Sequence, residues 1–169
     1  MRRSLDFLYD AAGGLAALFL AGTLAMVLAG IAGRLLHFNL PGNDAYAGYC
    51  MAGCGFLALA STLKRGEHIR VSLVLERCGP RARRALELAA LAIALLLAVL
   101  FAVYSVRLAL QSWQFSDVST ANDATPLWIP QLAMALGTVV LAIAVADELA
   151  LECTGRRRAR QPAAAQHNE

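Results

Sequence analysis

Glu67, His68 and Arg70 crowd together in the run Lys64-Arg65-Gly66-Glu67-His68-Ile69-Arg70-Val71. A carboxylate beside an imidazole can hold and pass a proton near neutral pH, and flanking guanidinium groups can seat an anion. A second group of acids, Asp147, Glu148 and Glu152, closes the last apolar stretch, where carboxylates inside a membrane bind cations or relay protons. The other histidines, His37 and His167, and the cysteines Cys50, Cys54, Cys78 and Cys153 share no metal-ligand or nucleophile spacing. What the two groups can do depends on the elements that carry them.

Those elements are apolar to an unusual degree. The chain has 169 residues, is 59% hydrophobic and has a mean hydropathy of +0.56, and its charges gather at a few places instead of dotting every segment. Ala11–Gly33, Ala45–Leu63, Leu88–Val106 and Leu127–Ala146 carry no Asp, Glu, Lys, Arg or His. Each can cross a hydrocarbon core of about 30 Å as a helix, and runs of this length satisfy their own backbone hydrogen bonds as helices, not as short alternating barrel strands. The fold class expected is an all-α membrane protein with four transmembrane helices, spanning about residues 11–33, 45–63, 86–110 and 127–150. The first run exceeds a signal-peptide core of about 7 to 15 residues and three more spans follow, so neither cleavage nor twin-arginine export through Arg2-Arg3 is expected. The cysteines read as small apolar fillers and flank residues, without a disulfide framework.

Orientation follows from the basic residues. Of the fifteen Lys and Arg, all but Arg34 and Arg107 precede span one, lie between spans two and three, or follow span four. The positive-inside rule then puts both termini and the central loop in the cytoplasm, and Trp113 and Trp128 bracket an outward loop at headgroup depth. A basic loop attracts any polyanion, but its juxtamembrane position favours topology determination and contact with anionic membrane lipids over nucleic acid.

Residues 1–153 form one domain, and 154–169, rich in Arg and then in Ala and Gln, is expected to be a disordered basic tail. Between helices 2 and 3, apolar Ile69, Val71, Leu73 and Leu75 alternate with mostly polar neighbours, Ser72 can cap a helix, and Pro80 suits a first helical turn. The expectation is an extended entry followed by a short interfacial helix. Ala17, Ala21, Ala25, Ala29 and Gly33 form a small-residue face on span one, open either to a partner subunit or to internal packing. Shorter ladders recur at Ala90, Ala94, Ala98 and Ala102, and at Ala142, Ala146 and Ala150. Pro126 and Pro130 mark the entrance of span four, and its terminal acids are read as paired with Arg156–Arg158 or exposed at the interface.

The chemistry of a self-sufficient machine is missing from this pattern. Haem ligation needs histidines inside spans, and all three lie outside; a small autonomous transporter usually needs a midplane ionisable group, and the four stretches offer none. No broken-helix pair or inverted repeat is evident. No enzymatic activity, cofactor or metal is expected.

The residues do resemble a family. Arg34, the turn Pro41-Gly42-Asn43-Asp44, the run Phe56-Leu57-Ala58-Leu59-Ala60 leading into Lys64–Val71, and Thr125-Pro126-Leu127-Trp128-Ile129-Pro130-Gln131 before Met134 and Gly137 are similar to the small membrane subunit of TRAP transporters, over roughly residues 5 to 150. The resemblance implies a tripartite system: an extracytoplasmic solute-binding protein, a large permease subunit carrying substrate and sodium sites, and this small subunit as a fixed extension of the scaffold. It implies ion-gradient-driven uptake, commonly of an organic acid. On that basis Gly66, Glu67, His68 and Arg70 would organise the central loop against the large subunit or headgroups. Asp44, Trp128, Pro130 and the loop around Asp117–Asp123 would face the docked binding protein or an interfacial belt, and Arg34 would pair with Asp44 or snorkel to the surface. Rival readings are a membrane anchor of another complex, such as a respiratory one, and an autonomous small transporter.

Overall fold

The computed structural model describes residues 2–38, 40–65, 79–120 and 124–154. Four helices account for most of them: α1 (Arg2–Leu35), α2 (Asn43–Arg65), α3 (Pro80–Gln114) and α4 (Trp128–Cys153). All four are long and apolar enough to cross a membrane. No strand occurs among the described residues, only an isolated bridge between Val118 and Pro126. The central segment expected to hold the interfacial helix, and the basic tail, lie outside the described residues.

Each helix outruns its charge-free window. At a rise of 1.5 Å per residue, α1 and α3, with 34 and 35 residues, are each roughly 50 Å long, well beyond a hydrocarbon core of about 30 Å. In the α3 extension one pair of charges meets along the helix: Arg83 donates to Glu87 at 3.1 Å, one turn on. Pro80 opens α3 in the first turn, where its missing N–H costs nothing, and Gly79 precedes it in extended conformation. At α4, Pro126 lies just before the helix and Pro130 falls within its first turn.

Consecutive helices form two antiparallel hairpins, α1 with α2 and α3 with α4, and the hairpins join along α2 and α4, which run parallel. The spatial order is therefore α1, α2, α4, α3. Among the described residues α3 packs along α4, and reaches α2 through the edge-to-face rings of Phe56 and Phe101, 5.8 Å apart. Both interhelix loops lie at one end. The described ends of the chain and of the central connection lie at the other, the terminal end.

Small residues set the spacing. On α3, Ala98, Ala102, Ser105, Ala109 and Ser112 are buried in a seven-residue rhythm against α4. Ser105 satisfies its hydroxyl on the Phe101 carbonyl at 2.7 Å, and Thr138 of α4, fully buried, does so on Met134 and Ala135 at 3.0 Å each. The core lies toward the terminal end, where Tyr9 and Ala12 of α1 meet Ala60 of α2 and Val140 and Ala144 of α4.

Candidate functional site

Three zones could carry function: the polar groups at each end and the seam between the hairpins. At the terminal end, Lys64 of α2 reaches back to α1 and places Nζ 3.2 Å from Oδ1 of both Asp6 and Asp10. The two aspartates are one turn apart, so one ammonium serves both. Lys64 also lies 5.8 Å from the centre of the Tyr9 ring. Its side chain is only 20% exposed, whereas Asp6 and Asp10 are 51% and 71% exposed, which makes the clamp a local positioning device of small net strength. The Tyr9 hydroxyl is buried without a hydrogen-bond partner among the described residues. Glu152 is buried, Asp147 and Glu148 are half-buried, and both Glu148 and Glu152 have polar partners.

The loop end is tied by side chains from the start of α2. Asn43 donates from Nδ2 to the Met26 carbonyl of α1 at 2.9 Å. Tyr49 donates to Ser119 at 2.8 Å, and the Tyr46 and Thr125 hydroxyls are 3.1 Å apart. Tyr46 and Tyr49 brace each other edge to face at 6.1 Å. The loop they grip closes on itself: Ser119 N–H donates to the Thr125 carbonyl at 2.8 Å and Leu127 N–H to the Asp117 carbonyl at 2.9 Å. Ser116 and Ala124 take positive φ at its two bends. The α3–α4 loop is thus docked onto the other hairpin.

Along the seam, Gly137 of α4 sits on the Phe56 backbone so closely that a β-carbon there would lie 2.6 Å from both its carbonyl carbon and oxygen. Between α1 and α2 the close contacts run through Gly22 beside Cys50, Gly30 beside Asn43, and Gly53 beside Phe19. The expected ladder lies on another face: Ala17, Ala21 and Ala25 are exposed within this chain, Ala29 is half-buried, and Gly33 is buried, its nearest neighbours being Phe38 and Leu40. On α3, Ala90 and Ala94 are exposed while Ala98 and Ala102 are buried; on α4, Ala142 is half-buried and Ala146 and Ala150 are exposed.

The anticipated interface residues are scattered. Arg34 ends α1 and Asp44 begins α2, both exposed, and no ion pair joins them. Trp128 and Pro130 open α4, both half-buried, and Trp128 lines, with Trp113, a groove between α3 and α4. Gly66, Glu67, His68 and Arg70 lie outside the described residues. The clamp around Lys64 and the tyrosine ties to the α3–α4 loop were not anticipated. The i, i+4 spacing of Asp6 and Asp10 was a visible signal for the first; the second joins residues 70 and 79 positions apart and had none.

A sequence profile described as "Tripartite ATP-independent periplasmic transporters, DctQ component" matches residues 23–155. The chain belongs to this family. DctQ membership makes it the small permease component of a TRAP transporter, a component of a transport system and not an enzyme family. With four apolar helices long enough to span, the DctQ chain is a multi-pass membrane protein whose partners are the other subunits of a tripartite transporter. No curated protein and no solved structure matches the chain.

Proposed function

We propose that this DctQ chain is the stationary scaffold subunit for the large TRAP permease, in the inner membrane with both termini cytoplasmic. The permease moves substrate by an ion gradient, sodium in the first instance, and takes an organic acid from an extracytoplasmic solute-binding protein. The observation that carries the reading is the family match across residues 23–155 on a chain whose helices are locked to each other by small-residue contacts. A stator needs fixed helix spacing, broad apolar flanks and anchored ends. Gly137 on Phe56 supports the first, the exposed leucines of α1 and α3 the second, and the Lys64 clamp and tyrosine ties the third.

On this reading Ala17, Ala21 and Ala25 face a permease helix. The central residues Gly66, Glu67, His68 and Arg70 hold the cytoplasmic side against the permease or lipid headgroups. Arg34, Asp44, Trp128 and Pro130 serve the opposite surface. Reconstitution tests it directly: liposomes holding both membrane subunits plus the binding protein should accumulate solute on a sodium gradient. Uptake by the DctQ chain alone, or full uptake by the permease without it, would overturn the scaffold role.

A further inference from the structure

The terminal end of α2 forms the floor of a recess. α2 and α4 run parallel with Gly137 seated on Phe56, and equally far along from these two stand Ala146 of α4 and Arg65, the last residue of α2. α4 continues from there to Cys153, about 10 Å farther. On the other side Lys64 meets Asp6 and Asp10, and α1 continues past them to Arg2. α2 therefore stops short between its two neighbours. Leu151 and Glu152, in the last turn of α4, are nevertheless buried, above the level that α2 reaches.

The recess holds an orphaned hydroxyl. Tyr9 is 3% exposed and packs with Ala144 of α4, while its hydroxyl is buried without a hydrogen-bond partner among the described residues. Such a group is costly to leave unmatched. Asp147, one turn beyond Ala144 on the same face of α4, lies within electrostatic reach of the phenol, as do Asp6 and Glu148. Asp6 is held by Lys64, and Glu148 has a polar partner. Asp147 is half-buried and forms no hydrogen bond or ion pair with a described residue. A phenol oxygen and a carboxylate in one recess are acceptors for a guanidinium, whose N–H groups fan out in a plane.

We propose that this recess seats the start of the chain's own central segment, with the Arg70 guanidinium donating to the Asp147 carboxylate and to the Tyr9 hydroxyl oxygen. The occupant follows from the course of the chain. Residues 66–78 leave α2 at the floor of the recess and have to cross the end of α4, because α4 lies between α2 and α3. Arg70 is the only Lys or Arg between Arg65 and Arg77, and five residues of chain, up to roughly 17 Å, carry it from Arg65 to the walls. The tail is worse placed. Its arginines follow Cys153, which is about 9 Å above Asp147 along α4. Arg70, grouped above with residues that meet the permease or headgroups, thus turns inward, and Gly66, Glu67 and His68 keep the outward role.

The test is a double-mutant cycle on the full-length chain in detergent. Arg70→Gln and Asp147→Asn should each lower the unfolding midpoint by about 2 to 4 °C, and the two together should lower it little further than either alone. Additive losses would overturn the pairing. Tyr9→Phe should also lower the midpoint; a rise would mean that its hydroxyl is unmatched in the folded chain, and would overturn the site as well. Cross-linking in the complete transporter identifies the occupant. With the native cysteines replaced and both Arg70 and Asp147 retained, Ile69→Cys and Glu148→Cys should join on mild oxidation, several-fold more slowly once Arg70→Gln is added. No link, a link from position 69 to the permease instead, or a faster link between Glu148→Cys and Arg157→Cys of the tail would each overturn the proposal. None of these readouts depends on transport, so the recess can fail while the scaffold reading stands.

Discussion

At Gly137 a single added methyl group decides whether two helices can stay in contact. A β-carbon there would lie 2.6 Å from the Phe56 carbonyl group and 2.8 Å from its Cβ, and backbone cannot swing aside as a flexible side chain can. Gly137→Ala should therefore cost about 1 to 3 kcal/mol, read as a lower unfolding midpoint in detergent. Gly48→Ala on α2 is the contrasting case. Nothing lies within 4 Å of a β-carbon at that position, so helix propensity alone should leave stability unchanged or raise it by about 0.5 to 1 kcal/mol. Lys64 tests the opposite kind of contact. Lys64→Met keeps the stem beside Tyr9 and removes the charge between two largely exposed aspartates, so the loss should stay below about 1 kcal/mol and shrink with added salt. A loss of several kcal/mol at all salt concentrations would mean that the clamp carries more of the fold than its exposure allows.

Between elements, the docked α3–α4 loop is the contact most open to perturbation. Tyr49→Phe removes one hydroxyl that donates to Ser119 and leaves the ring against Tyr46, which should cost about 1 kcal/mol and quicken amide exchange at Ser119 and Leu127. Unchanged exchange would show that the loop holds itself closed through its own backbone bonds. This tie also marks where sequence reasoning stops. The four helices were legible because a charge-free run long enough to cross lipid has few other uses, and Pro80 and Pro130 fell within first helical turns. The start of α1 was not: Asp6 and Asp10 looked like flanks of a span beginning near residue 11, yet the helix carries its backbone hydrogen bonds straight through them. The face that α1 turns to α2 was left open by the sequence, and sterics choose it. An alanine ladder is inviting on paper, but α2 settles on the side bearing Gly22 and Gly30, where the absent β-carbon permits closer approach than alanine does. That choice leaves Ala17, Ala21 and Ala25 uncovered in the single chain.

For the whole molecule the question is what the uncovered flanks meet. If Ala17, Ala21 and Ala25 receive a permease helix, Ala21→Leu should reduce copurification with the large subunit several-fold while the unfolding midpoint of the isolated chain stays put, since Ala21 is exposed in the single chain. Loss of both together would place the defect in folding instead. Topology has its own check. With the native cysteines replaced, a membrane-impermeant thiol reagent should label a cysteine at Gln114 from outside intact spheroplasts and should not reach one at position 153; the reverse pattern would invert the chain in the membrane.

The order of the helices has one more consequence. Each hairpin is built from neighbours in sequence, and among the described residues the two meet chiefly along α2 and α4, a contact made within the helices themselves. If that contact suffices, the chain behaves as two unlike halves that associate without their covalent link. Residues 1–70 and 71–169, produced as separate polypeptides in one cell, should find each other in the bilayer and support the same solute uptake as the intact subunit.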